Sequence, residues 1–507
     1  MAVGFEIYFS SDTHGHVFPV DYAMNRTEAS GILNMAADIV KGPDTLIIDG
    51  GDSLQGTPLI QYYLSHPEEK GPHPVAEAFN ALGLDYFTLG NHDFNFGYEA
   101  IRDYIRAMRA RCICANVEDL RGELAISPYT IHLLSNGLRI GITGIVTDHV
   151  NIWEQPQNLR YLQVLDAYEQ AAEMSRILRP ICDVSILIYH GGLENDPITG
   201  KRLSDSRENI ACELARKLDY DIILTGHQHM SIGGIYEGRT LMVQPPANAG
   251  MYVHISGSME NDGGRLSLNS ELRRVGGQHR DEPYDSLLPL EEKVQHWLDL
   301  PVGSIDRPVE PEGKLDAAIH GSCVADLFNM VQLEETGADI SCTSLGNEPI
   351  GLGATVSMRD ISAAYPFANT LVVLEVDRDV IRQLLERCAS YFVLRDGKPE
   401  ISEGFLKPKV EHYNYDFFAG IKYEFDIRRP VGERVTMLTR DDGTPLEGKL
   451  RLCTSNYRAS GTGGYEVLSA CPVLYRGSRE MPDIITEYIR AKSPVKLPKE
   501  HPFRVIF

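Results

Sequence analysis

Asp221-Ile222-Ile223-Leu224-Thr225-Gly226-His227-Gln228-His229 is the stretch on which the reading of the fold turns. A short apolar run ends abruptly in a glycine and two histidines. Three other stretches repeat the pattern: Leu46-Ile47-Ile48-Asp49-Gly50-Gly51-Asp52, Tyr86-Phe87-Thr88-Leu89-Gly90-Asn91-His92 and Asp183-Val184-Ser185-Ile186-Leu187-Ile188-Tyr189-His190. Short apolar runs bounded by turn formers mark buried strands. Helix-forming segments lie between them, such as Val75-Ala76-Glu77-Ala78-Phe79-Asn80-Ala81-Leu82. Strands alternating with helices predict α/β layering. In each case the polar cluster follows the carboxyl end of its strand, the edge at which α/β sheets form ligand sites. The four clusters are therefore expected to converge on one rim.

The bulk composition narrows the possible partners. The chain has 507 residues, enough for two to four domains, and a net charge of -23. Such an acidic surface repels polyphosphate chains, so long nucleic acid is not expected as a partner. A small phosphate ester is compatible, because bound divalent cations set the local sign of the field. The nine cysteines are odd in number and scattered in spacing, and they read as reduced, mostly buried residues. Phe5-Glu6-Ile7-Tyr8-Phe9 reads as a first strand close to the start, without a leader-like segment before it. No apolar run of membrane-spanning length follows. The expectation is a cytoplasmic protein with no membrane partner, or an exported one if a leader has been removed.

Pro283, Pro289, Pro301, Pro308 and Pro311 punctuate a charged stretch, which places a domain boundary near residue 305. Beyond it, Val380 to Phe392 reads as a helix and Thr370-Leu371-Val372-Val373-Leu374-Glu375-Val376 as a strand, predicting a separate α/β domain.

Five clusters carry chemistry: Asp12-Thr13-His14-Gly15-His16, Gly50-Gly51-Asp52, Gly90-Asn91-His92-Asp93, Tyr189-His190-Gly191-Gly192 and Gly226-His227-Gln228-His229. Taken singly, most are ordinary polar turns. Together, each after a strand, they supply the mixed carboxylate and imidazole donors of a two-metal site for phosphate ester hydrolysis. The ordered string Asp-x-His, Gly-Asp, Gly-Asn-His-Asp, His and Gly-His-x-His resembles the calcineurin-like metallophosphoesterases. The C-terminal half resembles the substrate domain of the 5'-nucleotidase family. Gly90-Asn91-His92-Asp93-Phe94-Asn95-Phe96-Gly97, Tyr413-Asn414-Tyr415-Asp416 and Asn456-Tyr457-Arg458-Ala459-Ser460-Gly461 are most similar to its 2',3'-cyclic-nucleotide 2'-phosphodiesterase/3'-nucleotidase branch.

The resemblance implies a four-layer α/β/β/α catalytic domain over residues 1–305 and an α/β substrate-binding domain over 306–507. It implies two divalent ions, manganese, zinc, iron or cobalt. Asp12, His14 and His229 would hold the first, Asn91, His190 and His227 the second, with Asp52 bridging. A metal-activated water would attack phosphorus while His92 assists the leaving oxygen. Tyr413 and Tyr457 would sandwich the base, with Tyr415 a rival to Tyr413 and Asp416 an acceptor for base or sugar. A site shared between domains would load substrate by rotation.

Two departures bear on the subfamily. Asn95 stands where 5'-nucleotidases carry Asp beside the catalytic histidine; a carboxylate would favour the charged ring, whereas an amide only orients it. Thr343-Ser344-Leu345-Gly346-Asn347-Glu348-Pro349 lacks the arginine usual at the start of their second domain. Both favour the cyclic phosphodiesterase/3'-nucleotidase reading over 5'-nucleotidase or another nucleotide phosphatase. A nuclease for long DNA conflicts with the charge, and a non-catalytic nucleotide-binding protein would have no need of the full donor set. His16 and His149 read as structural or surface residues, His66 and His73 as solvated loop residues, and Asp93 as a turn residue or a support behind the metals. Oligomeric state and base preference are not encoded legibly.

Overall fold

The computed structural model describes residues 2–69, 71–196, 200, 202–203, 207–260, 265–276, 282–367, 369–407 and 410–507. The chain forms two compact units, Met1–Val294 and Gln295–Phe507. The division falls within the helix Glu282–Leu298, a few residues before the boundary expected near 305.

The first unit is built on two sheets. In one, Ala2–Ser10 pairs in parallel with Thr45–Asp49, which pairs in parallel with Tyr86–Phe87. In the other, Arg139–Val146, Val184–His190, Ile222–Thr225 and Thr240–Gln244 run parallel in sequence. The two-residue period of a strand sorts the side chains by face. Phe5, Ile7 and Phe9, Leu46 and Ile48, Ile186 and Ile188, and Ile222 and Leu224 belong to one buried cluster between the sheets. Their alternates face outward. Leu187, Tyr189 and Ile223 pack with Ala171 and Leu178 of the helix Ala167–Leu178 and with Leu214 of the helix Ala211–Lys217. Across the molecule, Phe87 meets Tyr104 of the helix Gly97–Ala107 at a ring separation of 5.4 Å. Helix, sheet, sheet and helix thus stack in four layers, and Thr45–Asp49, Tyr86–Phe87, Val184–His190 and Ile222–Thr225 are buried on both faces, which accounts for their unbroken apolar runs.

Pro74 opens the helix Pro74–Leu82, where a missing N–H costs nothing. His73 lies just before it, buried, and its Nδ1 accepts from Ala76 N at 3.4 Å. The solvated reading of His73 is therefore corrected: it is a helix cap.

In the second unit a five-stranded sheet runs in the order Asp416–Ala419, Ile340–Ser344, Leu450–Ser455, Thr370–Val376, Val473–Glu480. The expected strand at 370–376 is present, and the expected helix at 380–392 spans Arg378–Ala389, capped by Asp377. Helix Cys323–Thr336 is tied to the sheet by Asn329 Nδ2 donating to Phe417 O at 3.0 Å. All nine cysteines are free and seven are buried. Among the described residues no helix is long and apolar enough to cross a membrane.

Candidate metal centre

The parallel strands deliver their following loops to one end of the first unit, and backbone bonds lace those loops together. Asp12 N donates to Gly51 O and His14 N to Asp52 O, both at 2.9 Å. The loops approach so closely that only glycine fits between them. A Cβ on Gly90 would lie 2.1 Å from Asp52 Oδ1, and one on Gly51, at φ +93°, would lie 2.3 Å from Gly90 N.

The side chains converge in two groups. Donor atoms of Asp12, His14 and His229 lie within 4.8 Å of one another, and so do those of Asp52, His190 and His227. Asn91 joins the second group, with its Oδ1 2.8 Å from His227 Nδ1 and 3.2 Å from His190 Nε2. All seven residues read from the sequence as metal donors are therefore brought together. Five of them, Asp12, His14, Asp52, His227 and His229, hold positive φ between 50° and 71°. This conformation costs a non-glycine residue about 1 kcal/mol or more, and such strain gathers at functional sites.

The second nitrogens of the rings define which atoms are free to ligate. His14 Nδ1 lies 2.8 Å from Gln55 O and His190 Nδ1 2.7 Å from Gly50 O. A carbonyl only accepts, so both rings carry Nδ1–H and turn Nε2 inward. His227 is reversed. Its Nε2 faces Glu208 Oε1 at 2.8 Å, which leaves Nδ1 for the centre. Trp153 stacks on this ring at 5.4 Å and 17°. Glu208 and Trp153 were not found from the sequence, because neither belongs to a motif.

The buried charges of the site are set against one another. Burial opposes charge on Asp12 and Asp52, yet the surrounding imidazoles hold both carboxyls well below the usual range. Burial also opposes charge on His190, but the carboxylates of Asp52 and Asp12 lift it to about 10. Burial and the neighbouring His229 push His14 down to about 3. Asp52 Oδ2 is buried and pairs with His190 Nε2 at 3.2 Å. Two buried carboxylates, an amide oxygen and imidazole nitrogens gathered in this way fit divalent ions with mixed O/N preference.

Supporting groups hold the loops. Asp93 accepts from the backbone N–H of Asp52, Ser53, Leu54 and Gly90 at 2.8–3.0 Å. This is the supporting place foreseen for it. Asp49 accepts from Ser10 Oγ at 2.7 Å and Gly51 N at 3.0 Å, and burial raises its carboxyl to about 7. His92 stands beside the centre, its ring 5.6 Å from that of His14 and its backbone N donating to Asp52 Oδ1 at 2.7 Å. Its Nδ1 lies 2.8 Å from Asn95 Oδ1. His16 and His149 stay outside the donor groups; His149 Nδ1 lies 3.4 Å from Asp148.

In the second unit the expected substrate residues divide. Tyr413 and Tyr457 are neighbours, with ring centroids 6.5 Å apart at 72°. Tyr457 is 37% exposed, with the Arg458 guanidinium 5.6 Å over its ring, and the two rings stand nearly perpendicular rather than as the parallel sandwich expected. Tyr415 and Asp416 are corrected. Tyr415 is buried and its hydroxyl donates to Ala318 O at 3.1 Å, which makes it a core residue. Asp416 is 2% exposed and both its oxygens accept from Arg458 at 2.9 Å, so neither is available to a base or sugar.

Comparison with known proteins agrees with this geometry. Residues 5–231 match the calcineurin-like phosphoesterase family and residues 301–470 the 5'-nucleotidase C-terminal domain. A Staphylococcus aureus protein described as a 5'-nucleotidase, solved in complex with alpha-ketoglutarate, is 27% identical with a TM-score of 0.88, each chain being covered in full. The chain is 24% identical to a 2',3'-cyclic-nucleotide 2'-phosphodiesterase/3'-nucleotidase of Haemophilus influenzae, over 97% of its own length and 85% of the relative's. It is 23% identical to a trifunctional nucleotide phosphoesterase of Bacillus subtilis, over 96% of its own length but only 38% of that protein. Residues 5–231 thus form a calcineurin-like phosphoesterase domain and residues 301–470 a 5'-nucleotidase C-terminal domain, the pairing of a phosphoester hydrolase.

Proposed function

We propose that the chain hydrolyses small nucleotide phosphoesters as a 2',3'-cyclic-nucleotide 2'-phosphodiesterase/3'-nucleotidase. The observation that carries the reading is the convergence of seven donors at one end of the first unit, with the His92–Asn95 pair beside them. Asp12, His14 and His229 would hold one divalent ion, and Asn91, His190 and His227 a second, with Asp52 shared. When bound, the ions supply an activated water and neutralise the equatorial phosphate oxygens. Their identity among manganese, zinc, iron and cobalt follows availability as much as donor type.

The chain's own residues do the rest. Asp93 and the glycine contacts keep the donor loops at fixed separation. His92, held by Asn95, turns Nε2 to the phosphate and passes a proton to the departing oxygen. Tyr413 and Tyr457 offer ring faces to a base, a contact that tolerates every base. Catalysis is assigned to residues 1–305 and base binding to 306–507.

The amide at Asn95 and the relatives with cyclic phosphodiesterase names support the 2',3' preference. The full-length likeness to the Staphylococcus protein supports a 5'-nucleotidase instead. Turnover of 2',3'-cAMP, 3'-AMP, 5'-AMP and bis-p-nitrophenyl phosphate, compared on metal-stripped enzyme given manganese, separates them. Cyclic and 3' substrates are expected to lead by tenfold or more. A lead for 5'-AMP keeps the metal chemistry and reverses the substrate assignment.

A further inference from the structure

The polar chain behind His92 does not stop at Asn95. Asn95 Nδ2 donates to Glu154 Oε2 at 2.7 Å. The other carboxyl oxygen, Oε1, accepts from Gln155 N at 2.6 Å and from Asn158 Nδ2 at 2.9 Å. Asn158 Nδ2 also reaches Asn95 O at 2.8 Å, so the loop carrying Asn95 is pinned to the same support. Glu154 ends the short helix Val150–Trp153, and its backbone N bonds to Val150 O at 2.9 Å. Nothing in the sequence around it signals such a role.

Each link of this chain has its direction forced by the one before. An ionised carboxylate accepts and never donates. With both oxygens of Glu154 engaged by donors, the Asn95 amide must present its NH2 to Glu154 and its Oδ1 to His92. Oδ1 in turn accepts only, so the nitrogen of His92 that faces it, Nδ1, carries a hydrogen. The remaining nitrogen, Nε2, is then the one free for chemistry, whether the ring is neutral or charged. A flipped amide would place N–H groups against Nδ1 and move the hydrogen of the neutral ring to Nε2.

We propose that Glu154 is a positioning residue for His92: through the Asn95 amide it keeps the ring hydrogen on Nδ1 and reserves Nε2 for the oxygen of the scissile phosphoester. The inference rests on the proposed role of His92 at the phosphate. It gives this chain a carboxylate behind its histidine, one residue further out than a direct aspartate partner would stand.

The proposal predicts that two damaging substitutions repair each other. Glu154→Gln puts one N–H group against another, either at Asn95 or at Gln155 and Asn158, and frees the Asn95 amide to turn. Asn95→Asp sets a carboxylate in contact with the Glu154 carboxylate. In Asn95→Asp/Glu154→Gln the introduced carboxylate accepts from His92 Nδ1 and from the introduced amide, and every direction in the chain is satisfied again. With bis-p-nitrophenyl phosphate and manganese, kcat should fall by about tenfold or more in each single variant, with KM little changed, and return to within about threefold in the double variant.

A second readout is independent of turnover. The 15N shifts of the His92 ring in metal-free protein should report Nδ1–H in the native and double variants and a population of Nε2–H in Glu154→Gln. Unchanged tautomer in Glu154→Gln, or single losses that merely add in the double variant, would overturn the proposal. If His92→Ala itself leaves kcat intact, the role of His92 fails, and the tautomer measurement still decides the structural claim. Thermal unfolding of each variant distinguishes these outcomes from loss of fold.

Discussion

His14 and His229 set their Nε2 atoms 3.1 Å apart, ring edge to ring face at 74°. Because His14 gives its other nitrogen's hydrogen to Gln55 O, the nitrogen turned toward His229 carries a lone pair. A cation shared with Asp12 would draw both rings to it. Chelator-treated protein should therefore gain thermal stability on adding manganese, zinc or cobalt. A ligand at about a hundred times its dissociation constant contributes about 2.7 kcal/mol. Scanning fluorimetry reads the shift in Tm, and His229→Ala should diminish it. A Tm indifferent to all three ions would dismiss the metal reading of this cluster.

Gly90→Ala tests how tightly the donor loops are fitted. The added methyl would overlap Asp52 Oδ1 and the Asp52 backbone. Both partners are held by other bonds, so the loop must shift. Overpacking of this kind costs about 1–3 kcal/mol, and displaced supports of a metal site typically cost about 10–100-fold in affinity. Metal titration of the variant should show the loss, with substantial secondary structure retained by circular dichroism.

The tyrosines should matter only for substrates that carry a base. Tyr413→Ala and Tyr457→Ala are each expected to lose about 1–3 kcal/mol of stacking, or roughly 5- to 150-fold in KM for 2',3'-cAMP. Bis-p-nitrophenyl phosphate, which lacks a base, should keep its kinetics to a much greater degree. Equal losses for both substrates would mean that the rings do not hold the base.

Arg458 is a clasp in the second unit. Besides its two bonds to Asp416, it donates to Tyr413 O at 2.8 Å, Thr462 O at 2.9 Å and Asn414 Oδ1 at 3.2 Å. Removing one member of a buried pair strands the other charge at a cost of about 3–5 kcal/mol. Arg458→Met should lower the unfolding free energy read from denaturant titration by that order, and Arg458→Met/Asp416→Leu should recover part of it. A single variant as stable as the native protein would show the pair to be dispensable.

His501 supplies a pH dependence with a defined sign. Its ion pair with Asp326, at 2.8 Å, outweighs burial and raises its folded-state value above the ordinary 6.5, with Glu312 adding to the rise and Arg307 opposing it. A group raised in the folded state contributes stability that is fully present below the unfolded value and is lost as pH rises through the folded one. The Tm difference between native protein and His501→Gln should thus be larger at pH 5.5 than at pH 9. The reverse ordering would contradict the ion pair.

The donor set was readable because every donor falls in a short cluster that follows or ends a strand and contains a glycine, so chain order alone places it on the rim. The supports were not. Glu208 reaches His227 across 19 positions and Glu154 reaches Asn95 across 59, contacts that exist only after the loops fold. Asp416 was misread for a related reason. Its partner Arg458 lies in a motif already singled out, yet the pairing spans 42 positions, and nothing local shows that the carboxylate is already taken. His73 was the avoidable error: the proline after it marks a helix start, and the residue before a helix is a capping position.

His14 and His190 come from separate strands in separate sheets, yet both hang their outer nitrogens on carbonyls of the segment from Gly50 to Gln55, which also carries Asp52. That segment acts as a yoke. Whatever tilts it re-aims a carboxylate and two imidazoles at once, so damage there cannot be confined to one ion. The centre should be inherited and lost as a whole, with substitutions at positions 14, 52 and 190 far less than additive, and drift along this lineage should spare the yoke while the loops around it vary.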